Sequence, residues 1–431
     1  MKKTLLALSF ALLVLASCKE KGPALDPVAE PYYYKNATYF AEKNGMYEQL
    51  PIGEKDIVLV GDDYIDRGLW NEWFPSYSMK NRGITYDETA HVLYRIDKIA
   101  EGHPAKLFVS VGYYDVVRGV GLDTVITNIY NIFERVSKVS PKTKLYYINI
   151  VGADLEGQKA NERDAVNAGV LELSHSGLFE YIDVADKVRG GVESGLYSYN
   201  GGYHLNGKGY EVFSAAFERQ VGEPSTALGV EYPYEDTVFP YYHNRTSIFL
   251  ASPAKYHKIV MLGNSLNNNA PWNELFPGVD LINRGISGDV TRGILQRVPE
   301  VAAHTPEKVF LLTGPNDLIN EPELSVEDFM ASYKKVVERI KELMPDTQLY
   351  VHSLLPINPK SRYYEGYNAR AAAIDALLAE NAETWGYTYI DLVPAMSDEN
   401  GDLKDSYTTD GLHLTAEAYK AWVEVIKDFV K

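Results

Sequence analysis

Residues 57–115 align with residues 259–317 without a gap, at a constant offset of 202 positions. Gly61 matches Gly263, Trp70-Asn71-Glu72 matches Trp272-Asn273-Glu274, Asn81-Arg82-Gly83 matches Asn283-Arg284-Gly285, and Gly112 matches Gly314. Whatever fold this chain adopts must therefore be one that it builds twice. The two copies are not equivalent in chemistry. Asp63 stands opposite Ser265, Tyr86 opposite Gly288, and Tyr114 opposite Asn316.

The likeness continues outside the aligned block. Pro31-Tyr32-Tyr33 with Asn36 and Thr38 is matched to Pro240-Tyr241-Tyr242 with Asn244 and Thr246, and GYHLNGKGYEVF (202–213) to GLHLTAEAYKAW (411–422). A boundary is expected within 220–238, where glycines, prolines and acidic residues interrupt the pattern. The expected domains are thus 31–225, a degenerate copy, and 235–431, the catalytic one. At 431 residues, each copy is long enough to bury a full core.

Short apolar runs alternate with amphipathic stretches in both copies. In the second copy the runs are 259–263, 279–283, 309–314, 349–354 and 387–392, and the helix-like segments are 289–303, 325–343 (Ser325 as N-cap), 366–385 and 415–430. Alternation of this kind predicts a parallel sheet with helices on both faces. Ligands of such sheets bind beyond the carboxyl ends of the strands. Gly263-Asn264-Ser265, Gly285 to Gly288 and Gly314-Pro315-Asn316 each follow a predicted strand, so all three are expected at one edge.

These residue types suit acyl transfer, which needs a nucleophile, a base, a group orienting the base, and donors for the oxyanion. Ser265 ends a strand and opens a helix, where free N–H groups gather. Gly288 has no side chain, so its N–H can approach a bound carbonyl. The Asn316 amide is a neutral donor. Asp410 and His413 share a loop before the last helix, at a spacing that lets the carboxylate reach one ring nitrogen while the other faces the serine. Taken singly, each is as well explained by a turn or a helix terminus. Their order along the chain is what argues for a site.

GNS (263–265), NRGISGDVTRGILQRV (283–298), TGPND (313–317) and DGLHLT (410–415) resemble the four blocks of the SGNH, or GDSL-like, hydrolases. The stretch from Trp272 to Arg297 is similar to the platelet-activating-factor acetylhydrolase branch. The resemblance covers 240–431 and implies two flavodoxin-like three-layer α/β/α sandwiches with parallel sheets and no metal or other cofactor. It implies Ser265 as nucleophile, His413 as base, Asp410 as its orienting partner, and an oxyanion hole of the Ser265 and Gly288 N–H groups with the Asn316 side chain. One position departs from the family pattern. Asn264 stands where an Asp is usual, and a weakened or re-tuned site is expected.

In the first copy Asp63, Tyr86, Tyr114 and Gly201 replace the nucleophile, the donor glycine, the donor asparagine and the orienting Asp, while His204 persists. Two roles are open to it: a glycan-binding domain using Tyr86, Tyr113 and Tyr114, or a scaffold that stiffens the active copy. The scaffold is favoured, since nothing in the sequence exposes those tyrosines.

The remaining features set class and location. A net charge of −17 argues against nucleic acid as a partner. Nine histidines are scattered without metal-ligand spacing, and GDVTRG (288–293) lacks the Lys of a phosphate loop. Lys2-Lys3, an apolar run over 4–15 and Leu15-Ala16-Ser17-Cys18 resemble a bacterial lipoprotein signal, residues 1–18, followed by a polar tether at 19–30. That implies lipidation at Cys18 and a lipid-anchored place in the bacterial cell envelope. The expected function is a serine esterase acting on a small acyl group, foremost acetyl, carried as an oxygen ester on a carbohydrate. Two alternatives are a lysophospholipase or other lipid esterase, and a non-catalytic glycan-binding lipoprotein. The sequence does not speak to oligomeric state.

Overall fold

The computed structural model describes residues 26–32, 37–188, 190–198, 204–225, 239–252 and 257–431. The signal-like segment with Cys18, most of the tether, Gly201 and residues 226–238 of the expected boundary lie outside the described residues.

Two five-stranded parallel sheets are formed. The first contains β1 (Ile57–Gly61), β2 (Met79–Gly83), β3 (Lys106–Ser110), β4 (Lys144–Ile148) and β5 (Glu180–Ile182), in the order β2-β1-β3-β4-β5. The second contains β6 (Ile259–Gly263), β7 (Leu281–Gly285), β8 (Lys308–Leu312), β9 (Gln348–His352) and β10 (Thr388–Ile390). Read from its β7 edge, its order is β7-β6-β8-β9-β10, the same arrangement. Register is shared as well: Ile57 pairs with Met79 and Gly61 with Gly83, as Ile259 pairs with Leu281 and Gly263 with Gly285. Two sheets flanked by helices, as expected, are what the alternating pattern builds.

Strand alternation explains why each sheet is covered on both faces. Ile259 and Met261 join Phe310, Leu312 and Trp422 in one buried cluster. Their neighbours Val260 and Leu262 join Val298, Val309, Leu311 and Val336 in another. A strand buried on both sides reads as a continuous apolar run, which is how β6 and β8 read. The expected elements are close to those observed, with Ser325 accepting the Asp328 N–H at 3.1 Å as N-cap of the helix Val326–Leu343. One strand was placed too early: the run expected at 279–283 is β7 at Leu281–Gly285. The ladder continues through Asn283 and Arg284 because their polar side chains are satisfied sideways, as described next. No described helix is long and apolar enough to cross a membrane.

The two halves are joined by a reciprocal exchange of buried ions. Arg82 of the first half donates to both oxygens of Glu274 in the second, at 2.7 and 2.9 Å. Arg284 of the second half donates to both oxygens of Glu72 in the first, at 2.9 and 3.0 Å. Arg82 and Arg284, like Glu72 and Glu274, are 202 positions apart, so the contact is self-complementary in the manner of a two-fold dimer interface. All four side chains are buried. Burial alone would raise the Glu72 carboxyl, but the charge and hydrogen bonds of Arg284 hold it below the usual carboxylate range.

Helices are exchanged too. The leading helix of the first half, Ala37–Gln49, places Phe40, Met46 and Tyr47 in the second half's core, against the final helix Ala416–Val430. The leading helix of the second half, Pro240–Ala251, places Ile248 in the first half's core, against the helix Gly207–Ala215. Tyr39 Oη donates to Asp66 Oδ2 at 2.8 Å, and Tyr241 Oη donates to Asn268 Oδ1 at 3.3 Å. The Arg82 guanidinium lies 4.9 Å from the Tyr47 ring centre, and that of Arg284 lies 4.7 Å from the Phe249 ring centre. These pairs all keep the offset of 202. The expected match of Pro31-Tyr32-Tyr33 to Pro240-Tyr241-Tyr242 is therefore corrected: Tyr39, not Tyr32, is the counterpart of Tyr241. The Pro-Tyr-Tyr likeness drew the alignment to the wrong turn because few other side chains of the helix are shared.

Breaking a buried ion pair by removing one partner strands the other charge, at a cost of about 3–5 kcal/mol. Glu274→Ala leaves Arg82 without a carboxylate and should destabilise by that amount in urea unfolding. Glu72→Ala should cost clearly less, because Arg284 Nε still donates to Glu300 Oε1 at 2.7 Å. Equal losses would contradict this assignment.

Candidate active site

The carboxyl ends of β6, β7 and β8 and the loop before the final helix meet at a cleft of about 740 Å³. Ser265, Gly288, Asn316, Asp410 and His413 all line it, together with Tyr241, Ser287, Lys360, Arg362 and Tyr363. Every second-half residue singled out from the sequence is thus brought to one place.

Ser265 opens a short helix, Ser265–Asn268, directly after β6. Asn264 caps it: Oδ1 accepts the Leu266 N–H at 3.0 Å, and the side chain is buried. In the first half Asp62 does the same for Tyr64 at 3.1 Å, but burial and then the neighbouring charge of Asp63 drive its carboxyl far above the usual range. The amide at 264 keeps the structural bond and carries no charge into the interior. Asn283 fastens the same turn from β7, with Nδ2 donating to Asn267 O at 2.7 Å and Ala270 O at 3.0 Å.

Gly288 has φ +82°, and a Cβ placed there would lie 3.1 Å from the Phe239 ring. The next residue anchors the loop. Asp289 Oδ2 accepts Arg297 Nε at 2.9 Å, while Arg297 also donates to Gly263 O at 2.8 Å, tying the β6 and β7 ends together. Asp289 O accepts Asn316 Nδ2 at 2.8 Å, which fixes that amide and leaves its second N–H to be directed elsewhere. Among the described residues no partner takes the N–H of Ser265 or of Gly288. The cleft therefore has three available donors.

Asp410 and His413 form a compact unit. Asp410 Oδ1 accepts the N–H groups of Leu412 and His413 at 2.8 and 2.7 Å, and Oδ2 lies 2.7 Å from His413 Nδ1. Burial would raise the Asp410 carboxyl, but its bonds and pairing with His413 hold it well below the usual range. An ionised Asp410 can only accept, so Nδ1 carries the proton and Nε2 is left as a base. Burial would lower the His413 pKa; the hydrogen bond and charge of Asp410, then the charge of Glu42, outweigh it and raise it. Gly411, at φ +88°, lets the loop pass so near Ser361 that a Cβ would sit 2.4 Å from its backbone nitrogen. No direct hydrogen bond joins Ser265 to His413 among the described residues.

The counterpart in the first half is filled by its own side chains. Asp63 Oδ2 accepts the Tyr86 N–H at 3.1 Å, the backbone donor that corresponds to Gly288. Arg67 Nη2 lies 3.4 Å from the other carboxylate oxygen. Tyr86 holds the same left-handed turn, at φ +72°, and its ring meets Tyr114 edge-on at 5.0 Å. Tyr113 and Tyr114 are buried. Burial, then the charge of Arg67, pushes His204 down to about 2.

Sequence reasoning missed Asp289, Asp317 and Tyr241. Asp317 accepts the Thr291 N–H at 3.0 Å, as Asp115 accepts that of Thr89 at 2.9 Å. These carboxylates recur in both halves, which marked them as framework and hid their support of the loop that carries Gly288. Tyr241 was visible only as a repeat tyrosine. Gly288→Ala should destabilise by about 1–2 kcal/mol through backbone strain, measurable by chemical denaturation, and a neutral result would show that the turn relaxes.

Residues 262–421 match the GDSL-like Lipase/Acylhydrolase family model. The chain is 25% identical over 176 residues to an N-acylneuraminate cytidylyltransferase of Escherichia coli, covering 40% of each protein. It is 25% identical over 177 residues to platelet-activating factor acetylhydrolase IB subunit alpha1 of Rattus norvegicus, covering 39% of this chain and 72% of the relative. A GDSL-like lipase from Bacteroides thetaiotaomicron aligns in structure with a TM-score of 0.39 at 22% identity, covering 44% of this chain and 96% of that one. The cleft-bearing second half of the chain, over residues 262–421, is thus similar to the GDSL-like lipase/acylhydrolase family.

Proposed function

We propose that the second half is a serine esterase that removes a small acyl group, foremost acetyl, from an oxygen ester of a carbohydrate. The observation that carries this reading is the His413–Asp410 pair set in the same cleft as Ser265 and three available donors. Ser265 Oγ attacks the ester carbonyl and gives its proton to His413 Nε2. The oxyanion that forms accepts from the N–H groups of Ser265 and Gly288 and from Asn316 Nδ2. Collapse breaks the ester bond, and the alcohol leaves with the proton from His413. Water, deprotonated by His413, then opens the acyl-serine and releases the acid.

The acetyl preference is supported by the acetylhydrolase relative. A polar alcohol is supported by Asn320, Lys360, Ser361 and Arg362 along the cleft, beside the apolar surface of Tyr241, Ile319, Tyr363 and Leu412 that would meet the acyl group. The first half serves as a non-catalytic scaffold, a reading supported by its buried tyrosines and its self-satisfied Asp63. Anchorage to the cell envelope through lipidated Cys18 belongs to the same proposal. Metabolic labelling with palmitate should mark the wild type and not Cys18→Ser; label retained in the variant would end the anchor assignment.

Activity is tested with aryl acetates and acetylated glycans. Ser265→Ala should abolish hydrolysis, and a variant as fast as wild type would refute the esterase reading. Asn316→Ala should lower kcat by about a hundred- to a thousand-fold. Because His413 must be neutral to act and its pKa is raised, kcat/KM should climb with pH through a midpoint above the ordinary histidine value of about 6.5.

A further inference from the structure

The loop that carries Asp410 and His413 is gripped by a residue from the other half of the chain. Glu42 lies on the leading helix Ala37–Gln49, nearly fully buried. Its Oε1 accepts a hydrogen bond from Thr409 Oγ1, the residue just before Asp410. The second half's own leading helix is docked elsewhere, on the first half. There Asn244, the residue 202 positions after Glu42, reaches the equivalent loop beside His204: Nδ2 donates to Leu205 O at 2.8 Å, and Oδ1 accepts from Arg67 Nη1 at 3.2 Å. Each half thus inserts one side chain of its leading helix beside the other half's histidine loop. Among the described residues, the loop that faces the cleft is the one that receives a carboxyl group.

We infer that Glu42 is a positioning residue for the reaction proposed above, contributed by the otherwise non-catalytic first half. It holds the Thr409–His413 loop and places a second negative charge near the imidazolium that forms when His413 takes the serine proton. This inference rests on the esterase reading. The groups facing His413 from each packed element are few. Asp410 lies on its own loop, and Glu42 on the first leading helix. Lys360 and Arg362 come from the cleft-lining loop, Lys360 pairing with Asp405 at 2.7 Å and Arg362 lying over the Tyr363 ring at 4.6 Å. Tyr241 lines the cleft from the second leading helix, and Tyr419 of the final helix donates to Leu266 O at 2.8 Å. The anions are Asp410, which orients the ring directly, and Glu42, which does so through Thr409. Burial raises the Glu42 carboxyl, while the Thr409 bond and then the His413 charge oppose the rise, in keeping with two groups that respond to each other.

The test uses the full chain with aryl acetate, after Ser265→Ala has shown that hydrolysis depends on the serine. Glu42→Gln keeps an oxygen to accept the Thr409 bond and removes the charge. Its acid limb of kcat/KM should move down by about one pH unit, with kcat several-fold lower and KM unchanged. Glu42→Asp keeps the charge, so its limb should stay with wild type. A Glu42→Gln protein that melts like wild type and keeps the wild-type limb overturns the proposal. So does a limb shifted as far in Glu42→Asp as in Glu42→Gln, which would mark a packing role alone. Should Glu42→Gln fold poorly, titration of the His413 ring protons by NMR in wild type and Glu42→Asp reads the same quantity. A fall of the histidine midpoint in Glu42→Asp then counts against the proposal, and its retention supports it. If Ser265→Ala is fully active, the esterase reading fails first and independently.

Discussion

Four buried charges, exchanged crosswise between the halves, set the terms for everything else in this molecule. Arg82 meets its carboxylate, Glu274, only when both halves are folded and docked, and Glu72 then joins Glu300 in neutralising Arg284. Taking such ions out of water is costly, and their attraction offsets the cost only with full pairing. Without its partner half Arg82 would lack a carboxylate, and Glu72 and Glu274 would each lack their arginine. The first half therefore has a structural reason to persist: it supplies the arginine that pairs Glu274 and one of the two carboxylates that pair Arg284. Arg284 lies in the strand whose following loop presents Gly288, so the exchanged pair sits one loop away from the chemistry.

The cleft inherits its rigidity from the same framework. Asn283 pins the turn after Ser265, Arg297 ties the ends of β6 and β7, and Asp289 O orients Asn316. Each of these bonds uses a residue with a counterpart in the first half. What differs between the halves is a small set of side chains placed on a shared backbone. Tyr86 occupying the turn of Gly288 shows how far the backbone is dictated by the surrounding packing and how little by the residue itself.

Much of this was legible in the sequence. Apolar runs gave the strands, since a strand covered on both faces has no polar alternation to hide it. The mismatches at Asp63, Tyr86 and Tyr114 separated chemistry from framework, and the residues they pointed to line one cleft. Other features were hidden for physical reasons. β7 runs two residues past the run expected to end at 283 because Arg284 is neutralised by Glu300 and by Glu72, the latter more than two hundred positions away, which no local pattern reveals. The exchange of leading helices is invisible for a similar reason: an amphipathic helix looks the same whether it packs on its own sheet or on another. Glu42 was passed over because its partner, Thr409, is at the far end of the chain. Asn264 looked like a loss, and is a neutral residue making the bond a buried carboxylate makes at higher cost.

The offset correspondence of Glu42 and Asn244 has one more consequence. Two identical subunits related by a two-fold axis must present the same residue at both of their equivalent positions, so any change that suits one site is imposed on the other. Here the two positions belong to one polypeptide and are encoded separately. A carboxyl group can stand beside His413 while an amide stands beside His204, and each contact can be adjusted without altering its mirror image. Joining the halves covalently thus frees the interface from its own symmetry, and lets its two sides diverge.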